Sequence, residues 1–405
     1  MKYIILIGDG MADNRIGELG DKTPLEFANT PNLDSIGSKG LLGLFATVPP
    51  GFPPGSDVAN LSIFGYDPVK YYTGRAPLEA ASIGVKLGAK DMAFRCNLVT
   101  IADRDGKAVM DDYSAGHITT EDADGIIKSL DKELASQGVR FYTGTSYRHL
   151  MVWKDSGATG KTLKTTPPHD ISDREVAGHF PTGKGAEKLK ALIELSQAVL
   201  KDHPVNKRRI AEGKNPATSI WLWGQGVAPD MPSFKELYGL TGSVISAVDL
   251  VKGIGHYAKL KVIDVPGATG YLDTNYEGKV DYALKSLEEV DLTMIHIEST
   301  DETGHVGKAE LKIQAIEDFD GRVVGRVLEG IKRFGDYKIL VMSDHPTPID
   351  LRTHVNEPVP FAIYSSEDES VKNDSFVYTE KSASTSPVFI SEGWKLLGML
   401  IGREI

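Results

Sequence analysis

The chain has 405 residues, too many for one ordinary hydrophobic core, so two domains are expected. Its 45 Lys and Arg stand against 56 Asp and Glu, a net charge of −11 with no basic block, which argues against a nucleic-acid partner and leaves a small anionic substrate open. A single cysteine, Cys96, excludes an intrachain disulfide and a zinc site built on several thiolates, and its apolar surroundings read as a buried hydrophobe.

In chain order, residues 4–7 read as a first buried strand, ending at Gly8-Asp9-Gly10. Four apolar residues are too few for a signal segment, and no run approaches ~20, so a cytoplasmic protein with no membrane partner is expected. A proline-glycine loop over residues 48–55 leads into a helix start at Ser56-Asp57. Residues 116–136 read as an amphipathic helix with an N-cap signal at His117-Ile118-Thr119-Thr120-Glu121. Residues 140–153 read as two strands about Thr143-Gly144-Thr145. A second long helix, 186–200, ends at His203-Pro204, followed by a charged loop and a strand over 219–223. Helical spacing then covers 243–257, 282–290 and 308–334, with strands at 260–265, 292–297 and 338–341 and a closing helix at 386–401.

This alternation predicts an α/β fold with a mainly parallel sheet sandwiched by helices. The hairpin-and-helix stretch in the middle third reads as an inserted α+β domain, with boundaries near residues 85 and 217. Residues 1–85 and 218–405 would then form the first domain, and 86–217 the insert.

In open α/β sheets, ligands collect beyond the carboxyl ends of the strands. Three apolar runs deliver an Asp to that edge: Asp9 after Ile7, Asp301 after Ile297 and Asp344 after Met342. His345 follows directly, and His305 and His354 lie close behind. Three carboxylates and three imidazoles on one edge would repel or strand one another without a cation, and a mixed Asp/His shell suits Mn²⁺ or Zn²⁺, with Mg²⁺ also admissible. Two such ions can clamp a phosphoryl oxygen and activate a nucleophile. A lone Asp at a strand end is more often a turn residue, so the argument rests on the set.

Ser56 is the candidate nucleophile, at a helix start where the dipole favours a bound phosphate. Ser-Asp before an apolar helix is equally a common cap, and spacing alone leaves both roles open.

These residues, in this order, resemble the alkaline phosphatase superfamily, and within it the archaeal-type branch of the cofactor-independent phosphoglycerate mutases. The resemblance rests on Ile5-Leu6-Ile7-Gly8-Asp9-Gly10, Lys22-Thr23-Pro24-Leu25-Glu26, Pro54-Gly55-Ser56-Asp57 and Leu61-Ser62-Ile63-Phe64-Gly65-Tyr66-Asp67-Pro68. It continues through Asp301-Glu302-Thr303-Gly304-His305, Asp344-His345-Pro346-Thr347-Pro348 and His354, so nearly the whole chain is covered.

The resemblance implies an alkaline-phosphatase-like catalytic domain and an inserted substrate-binding domain acting as a lid. It implies one metal held by Asp9, Ser56, Asp344 and His345, and a second held by Asp301, His305 and His354. Ser56 would be phosphorylated by a small phosphorylated substrate, 3-phosphoglycerate, and would return the phosphate to give 2-phosphoglycerate, without 2,3-bisphosphoglycerate. Substrate-holding roles fall by the same pattern on Arg75, His117, Arg148 and His169, His117 standing where archaeal members tend to carry Arg. Lys252 matches a catalytic position, and Asp112 an acidic one suited to a general base.

Two departures resemble a bacterial sub-branch proposed to act as a homoserine kinase. Asn60 stands where archaeal members carry His, and Trp221-Leu222-Trp223-Gly224-Gln225-Gly226 replaces an Arg-Gly strand end, presenting Trp223 and Gln225 as a neutral aromatic surface. Homoserine kinase is therefore the alternative activity, and a metal-dependent phosphatase the next. Asp155-Ser156-Gly157-Ala158-Thr159-Gly160-Lys161-Thr162 is a near miss to a P-loop, with a carboxylate at the first glycine position and no helix following. A Ser-His-Asp esterase is disfavoured because Ser56 lacks the G-x-S-x-G elbow. A non-catalytic, metal-stabilised binding protein would not need Ser56 beside a full ligand set.

Overall fold

A computed structural model describes residues 1–156, 162–367 and 376–403; most of the P-loop near miss lies outside the described residues. The chain forms two compact units, one of residues 1–72 with 230–403 and one of residues 73–229.

The first unit is built on an eight-stranded sheet. Its strands are β1 (Lys2–Gly8) and β2 (Leu41–Phe45), and, after the five strands β3 to β7 of the second unit, β8 (Gly242–Ile245), β9 (Lys261–Val262), β10 (Leu292–Ile297), β11 (Tyr337–Ser343), β12 (Val359–Ser365) and β13 (Phe389–Ile390). The order is β13-β2-β12-β11-β1-β10-β8-β9, and β12 runs antiparallel to both its neighbours while the other pairings are parallel. Ile4, Ile5, Leu6 and Ile7 of the central β1 are fully buried, as an unbroken apolar run covered on both faces requires. The core packs Ile4, Leu6, Ile295, Ile339 and Val341 against Val280, Ile316, Phe319 and Val323 of the following helices.

Several expectations for this unit differ, among them the helix expected at 282–290, which spans Tyr276–Ser286. Residues 243–257 are β8 followed by a helix, Asp249–Tyr257, because Ser243, Val244 and Ile245 pair in register with β10. The strand expected at 260–265 is the two-residue edge strand β9, which has a partner on one side only. The closing helix is reduced to Leu396–Ile401, since the preceding chain is drawn into pairing with β2 through Leu44 N to Val388 O, 3.1 Å.

The second unit carries a five-stranded antiparallel sheet of β3 (Met92–Arg104), β4 (Lys107–Asp112), β5 (Val139–Thr145), β6 (Arg148–Trp153) and β7 (Ser219–Gly226). Helices Thr120–Leu134 and Ala186–Lys201 pack on it, and Cys96 lies in their shared core, as expected. Thr119 caps the first of these helices by accepting from Asp122 N at 3.3 Å. The expected charged loop after His203 is instead a helix, Pro204–Ala211, with Pro204 at its first position and His203 Nδ1 accepting from Val205 N. Helix Arg75–Ser82 belongs to this unit: Ala76 and Ala80 pack on Ala93, Leu150 and Val152. The contacts divide the chain at residues 72/73 and 229/230, whereas the sequence pattern places the boundaries near 85 and 217. Among the described residues, no helix is long and apolar enough to cross a membrane.

Candidate metal centre

The site grows out of three adjacent strands whose ends are in register, Gly8 lying opposite both Ser343 of β11 and Ile297 of β10. Asp9 and Asp344 therefore leave the sheet side by side, and Asp301 follows from the helix Ser299–Val306. Asp301 and His305 share one face of that helix, one turn apart, with Asp301 Oδ2 3.3 Å from His305 Nε2. His354 Nε2 reaches Asp301 Oδ1 at 3.5 Å and His305 Nε2 at 3.1 Å. His305 Nδ1 donates to the Arg352 carbonyl at 2.9 Å, which orients its ring and leaves Nε2 toward the cluster.

Around Asp9 a second set assembles. His345 Nε2 lies 3.0 Å from Ser56 Oγ and 3.5 Å from both Asp9 Oδ1 and Asp344 Oδ2. Asp344 Oδ1 accepts from Gly10 N at 2.9 Å and His345 N at 2.8 Å. Gly10 has a positive φ of 59°, and a Cβ there would overlap Asp301 Oδ1 and Thr347 Oγ1. Only glycine lets the backbone pass so close to a ligand side chain.

Ser56 opens the helix Ser56–Ile63, whose N-cap is Gly55 in an extended conformation, and no side chain caps it. Spacing left cap and nucleophile open; the geometry removes the cap, because Ser56 Oγ is turned to His345 instead.

The residues fit a pair of cations. Donor atoms about 2.1 Å from a common ion lie roughly 3.0 to 3.4 Å apart, close to the separations found in both sets. Without an ion, burial and the charges of Asp344 and Asp301 push the Asp9 carboxyl well above its ordinary range, and Asp9 Oδ1 is buried with no hydrogen-bond partner. Burial acts upward on Asp301 too, but hydrogen bonds from His305 and His354 hold it well below the usual range, and Asp301 pushes His305 up to about 9. Burial lowers His345. A protein-only cluster is thus short of positive charge around Asp9.

One member escaped the sequence reading. His296, fully buried on β10, sits with Nε2 3.5 Å from Asp9 Oδ2 and Nδ1 3.1 Å from Glu298 Oε1. The signal available was a lone imidazole inside the apolar run of residues 292–297. Glu298 also binds the fully buried Lys279, Nζ to Oε2 at 2.6 Å.

The remaining expected residues divide. Lys252, on helix Asp249–Tyr257 of the first unit, is paired with Asp264 at 2.6 Å. In the second unit Arg75 and Arg95 both bind Glu79 at 3.0 Å, and Arg148 lies close enough to help lower the Glu79 carboxyl. Arg95, another charge inside a buried run that the sequence reading passed over, is lowered to about 10 by burial and stacks on Trp223 at 4.2 Å. The His169 ring meets Trp223 edge-on at 5.3 Å, and Tyr113 and Tyr147 link it to His117 and Arg148. Arg75, Arg148, His117 and His169 thus share one aromatic, cationic neighbourhood. Asp112 instead accepts from Ser114 N, Ser114 Oγ, Gly116 N and Asn215 Nδ2, and these bonds outweigh burial to lower its pKa, which makes it a weak base. Trp223 and Gln225 do not present a free surface. Trp223 Nε1 donates to Asn97, and Gln225 is held at both ends by Thr165 and Leu163.

Residues 37–206 match a family profile described as 2,3-bisphosphoglycerate-independent phosphoglycerate mutase. A Geobacter sulfurreducens protein named a probable 2,3-bisphosphoglycerate-independent phosphoglycerate mutase is 54% identical over 403 residues, covering 100% of each chain. A Methanosarcina acetivorans protein of the same name, without the qualifier, is 53% identical over 99% of this chain and 100% of its own. The solved cofactor-independent phosphoglycerate mutase of Thermoplasma acidophilum matches with a TM-score of 0.65 at 27% identity, over 99% of both chains. With the serine and the acid-imidazole cluster assembled at one sheet edge, these full-length matches place the chain in the 2,3-bisphosphoglycerate-independent phosphoglycerate mutase family.

Proposed function

We propose that the chain interconverts 3-phosphoglycerate and 2-phosphoglycerate without 2,3-bisphosphoglycerate, through a phosphoserine at Ser56. The observation that carries this reading is the uncapped Ser56 hydroxyl, 3.0 Å from His345 Nε2 at the edge of the carboxylate cluster. Asp9, Ser56, Asp344 and His345 would hold one divalent cation, and Asp301, His305 and His354 the other, with Mn²⁺ or Zn²⁺ best suited to the donors. Bound there, the cations would neutralise phosphoryl oxygens and lower the pKa of the serine hydroxyl.

Ser56 Oγ gives up its proton and attacks phosphorus, the bond from phosphorus to the C3 oxygen of 3-phosphoglycerate breaks, and that oxygen takes up a proton. In the return step the C2 oxygen gives up its proton and attacks the phosphoserine, the bond from phosphorus to Ser56 Oγ breaks, and Oγ takes up a proton. No water is consumed, so exclusion of water separates a mutase from a phosphatase. Arg75 and Arg148 are assigned to the glycerate carboxylate, with His117 and His169 beside them, because fixed guanidinium forks suit a planar anion.

The test uses purified, Mn²⁺-loaded protein followed by phosphorus NMR. 2-Phosphoglycerate formed from 3-phosphoglycerate alone supports the proposal. With homoserine and ATP offered instead, ADP formation that depends on homoserine overturns it, as does release of inorganic phosphate as the only product from 3-phosphoglycerate. Ser56→Ala should abolish both turnover and the trapped phosphoenzyme.

A further inference from the structure

We propose that His296 is a ligand of the cation held by Asp9 and Asp344, a role additional to the seven metal-binding residues above. The inference rests on the reading of this cluster as a metal centre. Asp9, His296 and Asp344 are all buried, and each offers a donor atom within 4.8 Å of the others. His296 Nε2 has no hydrogen-bond partner, although it points at Asp9 Oδ2 from 3.5 Å. It and His345 Nε2 approach opposite oxygens of the same carboxylate.

The tautomer follows from the hydrogen bonds behind the ring. Glu298 Oε1 accepts from Ser246 Oγ at 2.8 Å and Ala247 N at 2.8 Å, and Oε2 accepts from Lys279 Nζ at 2.6 Å. A carboxylate receiving those donors beside a buried ammonium is an acceptor, so the 3.1 Å contact with His296 places the ring proton on Nδ1. In the neutral ring Nε2 then carries the lone pair, 3.5 Å from Asp9 Oδ2 and beside Asp344, in a buried space. Lone pairs converging there repel unless a cation lies among them, and a carboxylate behind the far nitrogen is the usual support of a metal-bound imidazole. Glu298 is a positioning residue, and Lys279 holds it in place.

The experiment uses full-length protein, chelator-stripped and reloaded with Zn²⁺ alone. An anomalous difference map of wild-type crystals should place a zinc about 2.0 to 2.1 Å from His296 Nε2. A zinc at Asp9 and Asp344 but more than about 3 Å from that nitrogen would overturn the assignment. Absence of zinc from Asp9 and Asp344 would remove the metal reading beneath it, a distinguishable failure. In solution, His296→Gln should weaken one class of Zn²⁺ site at least about tenfold and leave the site of Asp301, His305 and His354 unchanged. Unaltered affinity at both classes would also overturn it.

Discussion

Asn60 Nδ2 donates to Asp344 Oδ2 at 2.9 Å and to the Ser56 carbonyl at 3.0 Å, so one amide ties the helix of the candidate nucleophile to a candidate ligand. The side chain is fully buried. Asn60→Ala removes the donor to Asp344 Oδ2, leaving those from Gly10 N and His345 N to Oδ1, and Zn²⁺ affinity of the stripped protein should fall about 10- to 100-fold in a competition titration. An affinity within twofold of wild type would show that Asp344 needs no such support.

Gly10 sets a steric test of the same site. In Gly10→Ala the new methyl would meet Asp301 Oδ1 and Thr347 Oγ1 while the backbone stays at positive φ. The variant should lose most metal binding and about 1 to 3 kcal/mol of stability, read by metal titration and urea unfolding. Normal binding of both ions would mean that the strand end can shift without cost.

Behind the site, Lys312 and Asp13 form a pair with both side chains fully buried, Nζ to Oδ2 at 2.7 Å. Lys312 also donates to the carbonyl of Thr347 at 2.8 Å, joining the segments after β1 and β11. Lys312→Met leaves a buried carboxylate unpaired and should cost about 3 to 5 kcal/mol in urea unfolding at pH 7. Adding Asp13→Leu should cost less than the two single changes summed, because the stranded charge is gone. A loss below about 1 kcal/mol in the single variant would deny the pair its structural role.

In the second unit burial lowers His149 to about 3, and its Nδ1 accepts from Gly144 N at 3.1 Å. A folded pKa below the unfolded value of 6.5 means that the stability from this neutral ring is complete above pH 6.5 and declines as the pH falls toward 3. The loss is about 1.4 kcal/mol per pH unit, or roughly 2 kcal/mol at pH 5. His149→Asn keeps an acceptor for Gly144 but cannot titrate. Metal-free wild type should therefore lose about 2 kcal/mol more than this variant between pH 7 and pH 5. Equal losses would rule His149 out as the acid-sensitive group.

Much of the candidate site is legible in the linear order. Asp9, Asp301 and Asp344 each follow an apolar run, and the i, i+4 spacing of Asp301 and His305 is a local consequence of helix geometry. Patterns confined to a strand and its next turn survive folding because they depend on a few neighbouring residues. The order β11-β1-β10, which makes those three ends adjacent, depends on pairings across nearly the whole chain. So does the turning of Ser56 Oγ to His345 and away from its own helix. His296 and Arg95 were hidden for a related reason: a charged or titratable residue in an apolar run has no meaning until its partners, Glu298 and Asp9 or Glu79 and Trp223, are known. The residue types that do chemistry were thus determined by sequence alone, whereas tertiary structure decided which of them meet, since burial converges groups that chain distance keeps apart.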